Sequence, residues 1–210
     1  MVARQLPKLK TRVRFPSPAP RLKTMAESNL ISSTFDWYLM DIMPIVSQNA
    51  IQQKYGYHGL YTHTAAVVFR GIDYALNLGK SPKNVVLACA FHDMARVTDG
   101  DDTQHGANAV PMALRVMDEI GNIDIKSRDS IAYAIKNHSF NLVAPDYVSA
   151  CLWDADRTRL AWELGYNSRF FATQRAKTVA AGNANQYLQF MNQNMSDYAR
   201  NIITKLDKQY

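Results

Sequence analysis

Val85-Val86-Leu87-Ala88-Cys89-Ala90-Phe91-His92-Asp93 is apolar on every side until it ends on an ionisable pair. Ser81-Pro82 ahead of it supplies an N-cap and a proline at the first helical position, which predicts a helix from Pro82 to about Arg96. A helix that is hydrophobic all round belongs in the centre of a bundle. Burying a histidine and an aspartate at its end costs free energy unless something compensates them, and a metal ion would.

Outward from this stretch the periodicity is helical almost throughout. Toward the N-terminus, Leu60, His63, Val67, Gly71, Tyr74 and Leu78 recur at helical spacing, so His63 falls on a buried stripe, and Gly79 marks the stop. A first helix is expected from about Ser33 to Gln48, bent or broken near Pro44. Beyond the central helix, an acidic connector (residues 98–103) leads to a helix near Gln104 with His105, Ala109, Met112 and Val116 on one face. Ile131, Ile135 and His138 share a stripe of the next helix, and residues 147–164, about 168–180 and roughly Asn183 to Lys205 read as helical. With no alternating strand pattern and no internal repeat, the fold class is all-α, a helical bundle.

Four of the five histidines thus sit at buried helical positions: His63, His92, His105 and His138. Each buried imidazole needs a partner, and one shared metal site satisfies all four. Imidazoles and carboxylates together suit divalent Fe, Mn, Co, Ni or Zn. Neighbouring residues in a helix project about 100° apart, so His92 and Asp93 can reach one centre between them. Asp154 and Asp156 lie about 200° apart, so only one faces the site. Asp156 is preferred because Arg157 follows it and can meet an anionic substrate, leaving Asp154 a supporting or capping role.

The order His63, His92-Asp93, Asp156 resembles the HD superfamily of metal-dependent phosphohydrolases. The added His105-Gly106 and His138 resemble its two-metal subset, which includes dinucleoside-tetraphosphate hydrolases and cyclic-dinucleotide phosphodiesterases. The similarity covers about residues 56–180 and looks closest to small bacterial HD proteins. Their layout reads here as His58-Gly59, His63, His92-Asp93, Arg96, Asp99-Gly100, His105-Gly106 and Asp154-Ala155-Asp156-Arg157. Two features depart from the pattern. The Gly-Tyr-Pro signature of cyclic-dinucleotide enzymes is absent, and Thr64 follows His63 where a bulky aromatic is expected.

The resemblance implies an HD-type helical bundle and six metal ligands: His63, His92, Asp93, His105, His138 and Asp156. It further implies one or two divalent transition-metal ions that acidify a water and neutralise phosphoryl oxygens. Asp93, Arg96 and Arg157 are the expected catalytic residues, and His58, Arg96, Asp99 and Lys136 the candidates for substrate binding. The expected activity is hydrolysis of a small phosphate ester or anhydride, with a nucleotide as the favoured candidate. Two alternatives stand: a di-iron oxygenase of the inositol-oxygenase type, which uses a similar ligand set, and a non-catalytic nucleotide-binding module.

Size and charge fit this reading. The chain has 210 residues, enough for one substantial core, with 47% hydrophobic and 20% charged residues. Its net charge of +6 is concentrated in residues 1–24, which hold seven basic residues and no acidic one. The remainder carries 17 basic against 18 acidic residues, so long-range attraction to nucleic acid is not expected. Four prolines in that basic segment predict a disordered tail, and Met25 is expected to be the natural start, with residues 25–210 forming one domain. No apolar run reaches the roughly 20 residues that cross a bilayer. Cys89 and Cys151 are read as reduced core residues of a cytoplasmic protein, with no membrane partner and homo-oligomerisation left open.

Overall fold

The structure is a computed structural model and describes residues 24–140 and 142–207. The tail expected over residues 1–24 therefore lies outside the described residues, except for Thr24. That threonine caps the first helix: its hydroxyl accepts the Glu27 N–H at 3.2 Å while the Glu27 carboxylate accepts the Thr24 N–H at 2.8 Å. This reciprocal box starts α1 at Met25, ahead of the expected Ser33, and α1 runs Met25–Trp37. A π-helical turn, Tyr38–Ile42, precedes Pro44 and continues into α2, Met43–Asn49, so the chain stays helical where a break was expected.

The element carrying His63 opens with a second π-helical turn, Leu60–Thr64, and continues as α3, Ala65–Asn77. Thr64 stands where the resemblance led us to expect an aromatic, and it is fully buried. The Gln52 side-chain amide donates to its hydroxyl at 3.0 Å and to the His58 carbonyl at 2.6 Å, which pins the turn.

The central helix, α4, is shorter than expected, Lys83–Phe91, and the His-Asp pair lies in the turn beyond it. Two interactions draw the chain out of helical winding there. The Arg96 N–H reaches back to the Asp93 carbonyl at 2.8 Å, and the Met94 carbonyl accepts the N–H groups of Ile51 and Gln52 at 2.9 and 3.1 Å. His92 and Asp93 reach a common centre from a turn, not from helical phase.

Around α4 pack α3, α6 (Ile125–Asn137) and α7 (Tyr147–Leu164), with α5 (His105–Ile120) laid against α6. Two glycines allow close approach. A Cβ at Gly71 would stand 2.7 Å from Cys89 Sγ, and one at Gly106 only 2.7 Å from the Ile135 carbonyl oxygen. Trp153 of α7 donates its indole N–H to the Ala134 carbonyl of α6 at 2.9 Å. The chain closes with a 3-10 turn, Ser168–Phe170, and with α8 (Gln174–Ala181), α9 (Ala184–Asn194) and α10 (Asp197–Asp207). The expected single final helix is broken at Met195, where the Ser196 hydroxyl caps the Ala199 N–H at 2.9 Å and donates to Asp36 at 2.6 Å. Every regular element among the described residues is helical, so the chain is an all-α bundle. None of these helices is long and apolar enough to cross a membrane. Cys89 and Cys151 are both free and buried.

Candidate metal centre

His63 comes from the π-helical turn before α3, His92 and Asp93 from the turn after α4, and His105 from the first residue of α5. His138 caps the end of α6, and Asp156 lies in the middle of α7. These six residues, the expected ligand set, converge. His63 Nε2 lies 3.4 Å from His92 Nε2, and His105 Nε2 lies 2.8 Å from His138 Nε2. Asp93 joins the two pairs: Oδ2 is 3.3 Å from His92 Nε2 and 3.7 Å from His63 Nε2, while Oδ1 is 3.1 Å from His105 Nε2 and 3.6 Å from His138 Nε2. Asp156 Oδ1 completes the ring, 3.1 Å from His63 Nε2 and 3.8 Å from His92 Nε2.

The outer nitrogens explain why the rings point this way. Nδ1 of His92 donates to the Cys89 carbonyl at 2.7 Å, Nδ1 of His138 to the Ile135 carbonyl at 2.7 Å, and Nδ1 of His105 to the Asp102 carbonyl. Each is a contact to the residue three positions earlier: His92 and His138 follow helix C-termini, where carbonyls lack helical partners, and Asp102 lies in the loop before α5. A proton on Nδ1 leaves the Nε2 lone pair directed inward, the tautomer that metal-ligating histidines use. Nitrogen lone pairs facing each other, together with the Asp93 Oδ1 that makes no hydrogen bond among the described residues, fit a divalent cation.

The electrostatics agree. Burial opposes the ionised form of Asp93, but His92, His105 and His138 outweigh it and hold the carboxyl well below its usual range. Burial likewise opposes ionisation of Asp156, and His63, His92 and His138 bring it down. Burial works against a charge on His92 too, yet the Asp93 and Asp156 carboxylates push it up to about 9. A cluster that calls for positive charge between two carboxylates suits a metal ion. Three overlapping groups have the proximity to hold one: His63-His92-Asp93, His92-His138-Asp156 and Asp93-His105-His138.

The remaining expected residues take different positions around the centre. Arg96 borders the centre, with Nη1 3.1 Å from His105 Nε2 and 3.9 Å from Asp93 Oδ1, while Nε and Nη2 hold the carbonyls of Thr98 and Gly100 at 3.1 Å. His58 and Asp99 pair beside the ring of His63: Asp99 Oδ1 lies 3.0 Å from both the His58 N–H and its Nδ1. Arg157 donates to the carbonyls of Phe140, His138 and Phe170 at 2.7, 3.4 and 3.3 Å, so it ties loops together. Lys136 is exposed in the last turn of α6 and is joined to none of the ligands by a hydrogen bond or ion pair. Asp154 accepts the N–H groups of Ala172 and Thr173 at 2.9 and 2.7 Å, so it fastens the segment that leads into α8 and does not itself cap a helix. Sequence reasoning missed Arg70, Tyr57 and Arg159, which stand beside His63. A guanidinium on the helix stripe that also carries His63 was the available signal for Arg70.

Residues 60–164 match the model of the HD domain family. The chain belongs to that family. A solved structure, described as a "predicted HD superfamily hydrolase" from an uncultured Thermotogales bacterium, shares the fold with a TM-score of 0.56. It is 21% identical, and the match spans 74% of this chain and 90% of that one. No curated protein matches the chain.

Proposed function

We propose that the chain is a metal-dependent phosphohydrolase acting on a small phosphate ester or anhydride. The observation that carries this is the convergence of four Nε2 atoms on the buried Asp93 carboxylate, with Nδ1 of His92, His105 and His138 anchored to main-chain carbonyls. In this reading His63, His92, Asp93, His105, His138 and Asp156 hold one or two divalent ions. Such ions would supply Lewis acidity and bring the pKa of a water near 7.

The chain's own residues have these roles. Arg96, held by two loop carbonyls, presents Nη1 beside Asp93, where an anionic phosphoryl group approaches. Asp99 orients His58 through Nδ1, leaving Nε2 as a proton acceptor or donor at the mouth. Arg157 is a positioning residue that fixes the loops on either side of the site. A nucleotide remains the favoured substrate: a cavity of ≈ 270 Å³ between Arg157, Phe140, Phe170 and Leu160 offers an apolar wall for a base, and Ser139 at its edge lies 3.2 Å from His105 Nε2. The near-neutral body favours a small solute in the cytoplasm over a polymer or a membrane.

The test is phosphate release from a panel of phosphomonoesters, diesters and nucleotides by protein loaded with Mn, Fe, Co or Ni. Metal-dependent release that Asp93→Ala abolishes supports the reading. Iron-dependent oxygen consumption without phosphate release would favour an oxygenase, and nucleotide affinity without turnover in every metal form would favour a binding module.

A further inference from the structure

A cavity of ≈ 310 Å³ opens beside His63, bounded by Tyr57, Ala66, Arg70 and Arg159. Two nitrogens of its lining residues are buried and lack hydrogen-bond partners among the described residues: His63 Nδ1 and Arg70 Nη2. The first is the exception in the centre, since the other three histidines anchor Nδ1 on a carbonyl. The second belongs to a side chain only 4% exposed. Arg70 donates Nε to the Ala155 carbonyl at 2.7 Å and lies 5.9 Å from the Trp162 ring, but no carboxylate forms an ion pair with it among the described residues. Burying a guanidinium with a donor unmet is costly, and an oxygen acceptor removes that cost.

Arg159 and Tyr57 form another part of the lining. Arg159 stands 3.4 Å above the Tyr57 ring, with Nη1 on the Tyr57 carbonyl and Nε on Glu163, both at 2.6 Å. Arg159 is offset by Glu163, so Arg70 supplies the unpaired charge in a lining that holds no acidic side chain, and that chemistry selects an oxyanion. His63 belongs both to the metal centre and to the lining of this cavity, so the two sites share a wall.

We propose that the cavity receives a second anionic group of the substrate, drawn by the unpaired Arg70 guanidinium beside His63, and that the enzyme prefers phosphate esters carrying a further phosphate or carboxylate. This rests on the phosphohydrolase reading. The probes are 1,3-propylenebisphosphonate and propylphosphonate, titrated calorimetrically into the manganese-loaded full chain, so that turnover is not needed. The bisphosphonate binds roughly tenfold or more tightly than the monophosphonate, the worth of a hydrogen bond to a charged group. Arg70→Met and Ala66→Leu each shrink that ratio to about twofold or less. Ala66→Leu fills the cavity without removing a buried polar group, so it decides the matter if Arg70→Met does not fold. A ratio that survives Ala66→Leu overturns the proposal. Inorganic phosphate binding alongside propylphosphonate, with no gain for the linked bisphosphonate, overturns it in favour of a free-anion site. Failure of both phosphonates to bind the loaded chain would sink the phosphohydrolase reading itself.

Discussion

Gly106→Ala places one methyl group where α5 crosses the end of α6. The added Cβ stands 2.7 Å from the Ile135 carbonyl oxygen and 3.1 Å from Cε1 and Nδ1 of His138. That carbonyl is also the acceptor that fixes the His138 ring. Ordinary contact begins near 3.4 Å, so α5 has to retreat by about 0.7 Å, and His105 moves with it. Overpacking of this kind costs about 1–3 kcal/mol, and alanine's better helix propensity returns about 1 kcal/mol. The net loss of roughly 0–2 kcal/mol lowers Tm by about 0–8 °C in a domain of this size. Metal binding is the more sensitive reading. Disturbing the groups that orient a ligand typically lowers metal affinity by about 10–100-fold. Manganese titration of the chelator-stripped variant, with unfolding scans before and after loading, measures both. Wild-type affinity in a folded Gly106→Ala protein would refute the claim that this close approach sets the spacing of His105 and His138.

In the metal-free protein, the His92 pKa of about 9 stands above its ordinary 6.5. Its stabilising contribution is therefore complete below pH 6.5 and is lost as pH rises through about 9, a loss on the order of 3 kcal/mol. Denaturant titrations of stripped protein at pH 6 and above pH 9 check this, and equal stabilities would contradict it. Manganese reverses the trend, because a histidine ligand has to be neutral, so metal affinity rises with pH over the same window. Far from the centre, buried Asp73 accepts from Arg175 Nε at 2.9 Å and from the Tyr187 hydroxyl at 3.2 Å. Asp73→Ala costs about 3 kcal/mol by chemical denaturation, at the lower end for a buried pair because Arg175 is partly exposed, and Asp73→Leu combined with Arg175→Met recovers part of it. A loss under about 1 kcal/mol in the single variant would show that the pair is screened by solvent.

The all-α class and the positions of His63, His105 and His138 were legible because each of these shares a stripe with residues that must be buried. Tyr147–Leu164 was bounded correctly, with Asp146 capping one end and Gly165 at the other. What the sequence hid were interactions between distant segments. Residues 51 and 52 capture the Met94 carbonyl and unwind the chain after α4, so the His-Asp pair works from a turn. The Thr24-Met25-Ala26-Glu27 box at α1 and the Ser196-Asp197 start of α10 were local signals passed over, one inside a basic stretch and the other inside a polar helical run. Arg157 read as a phosphate grip from its place after Asp156, whereas its guanidinium meets three carbonyls that no pattern along the chain would reveal. Arg70 shares the stripe of His63, which marks it as buried but does not disclose the cavity beside it.

Anomalous scattering from crystals of the full chain grown with manganese tests the central claim most directly. Peaks are expected enclosed by Nε2 of His63, His92, His105 and His138 and the carboxylates of Asp93 and Asp156, roughly 2.0–2.3 Å from their ligands, and none in Asp93→Ala. Manganese bound elsewhere, or undiminished in that variant, would contradict it.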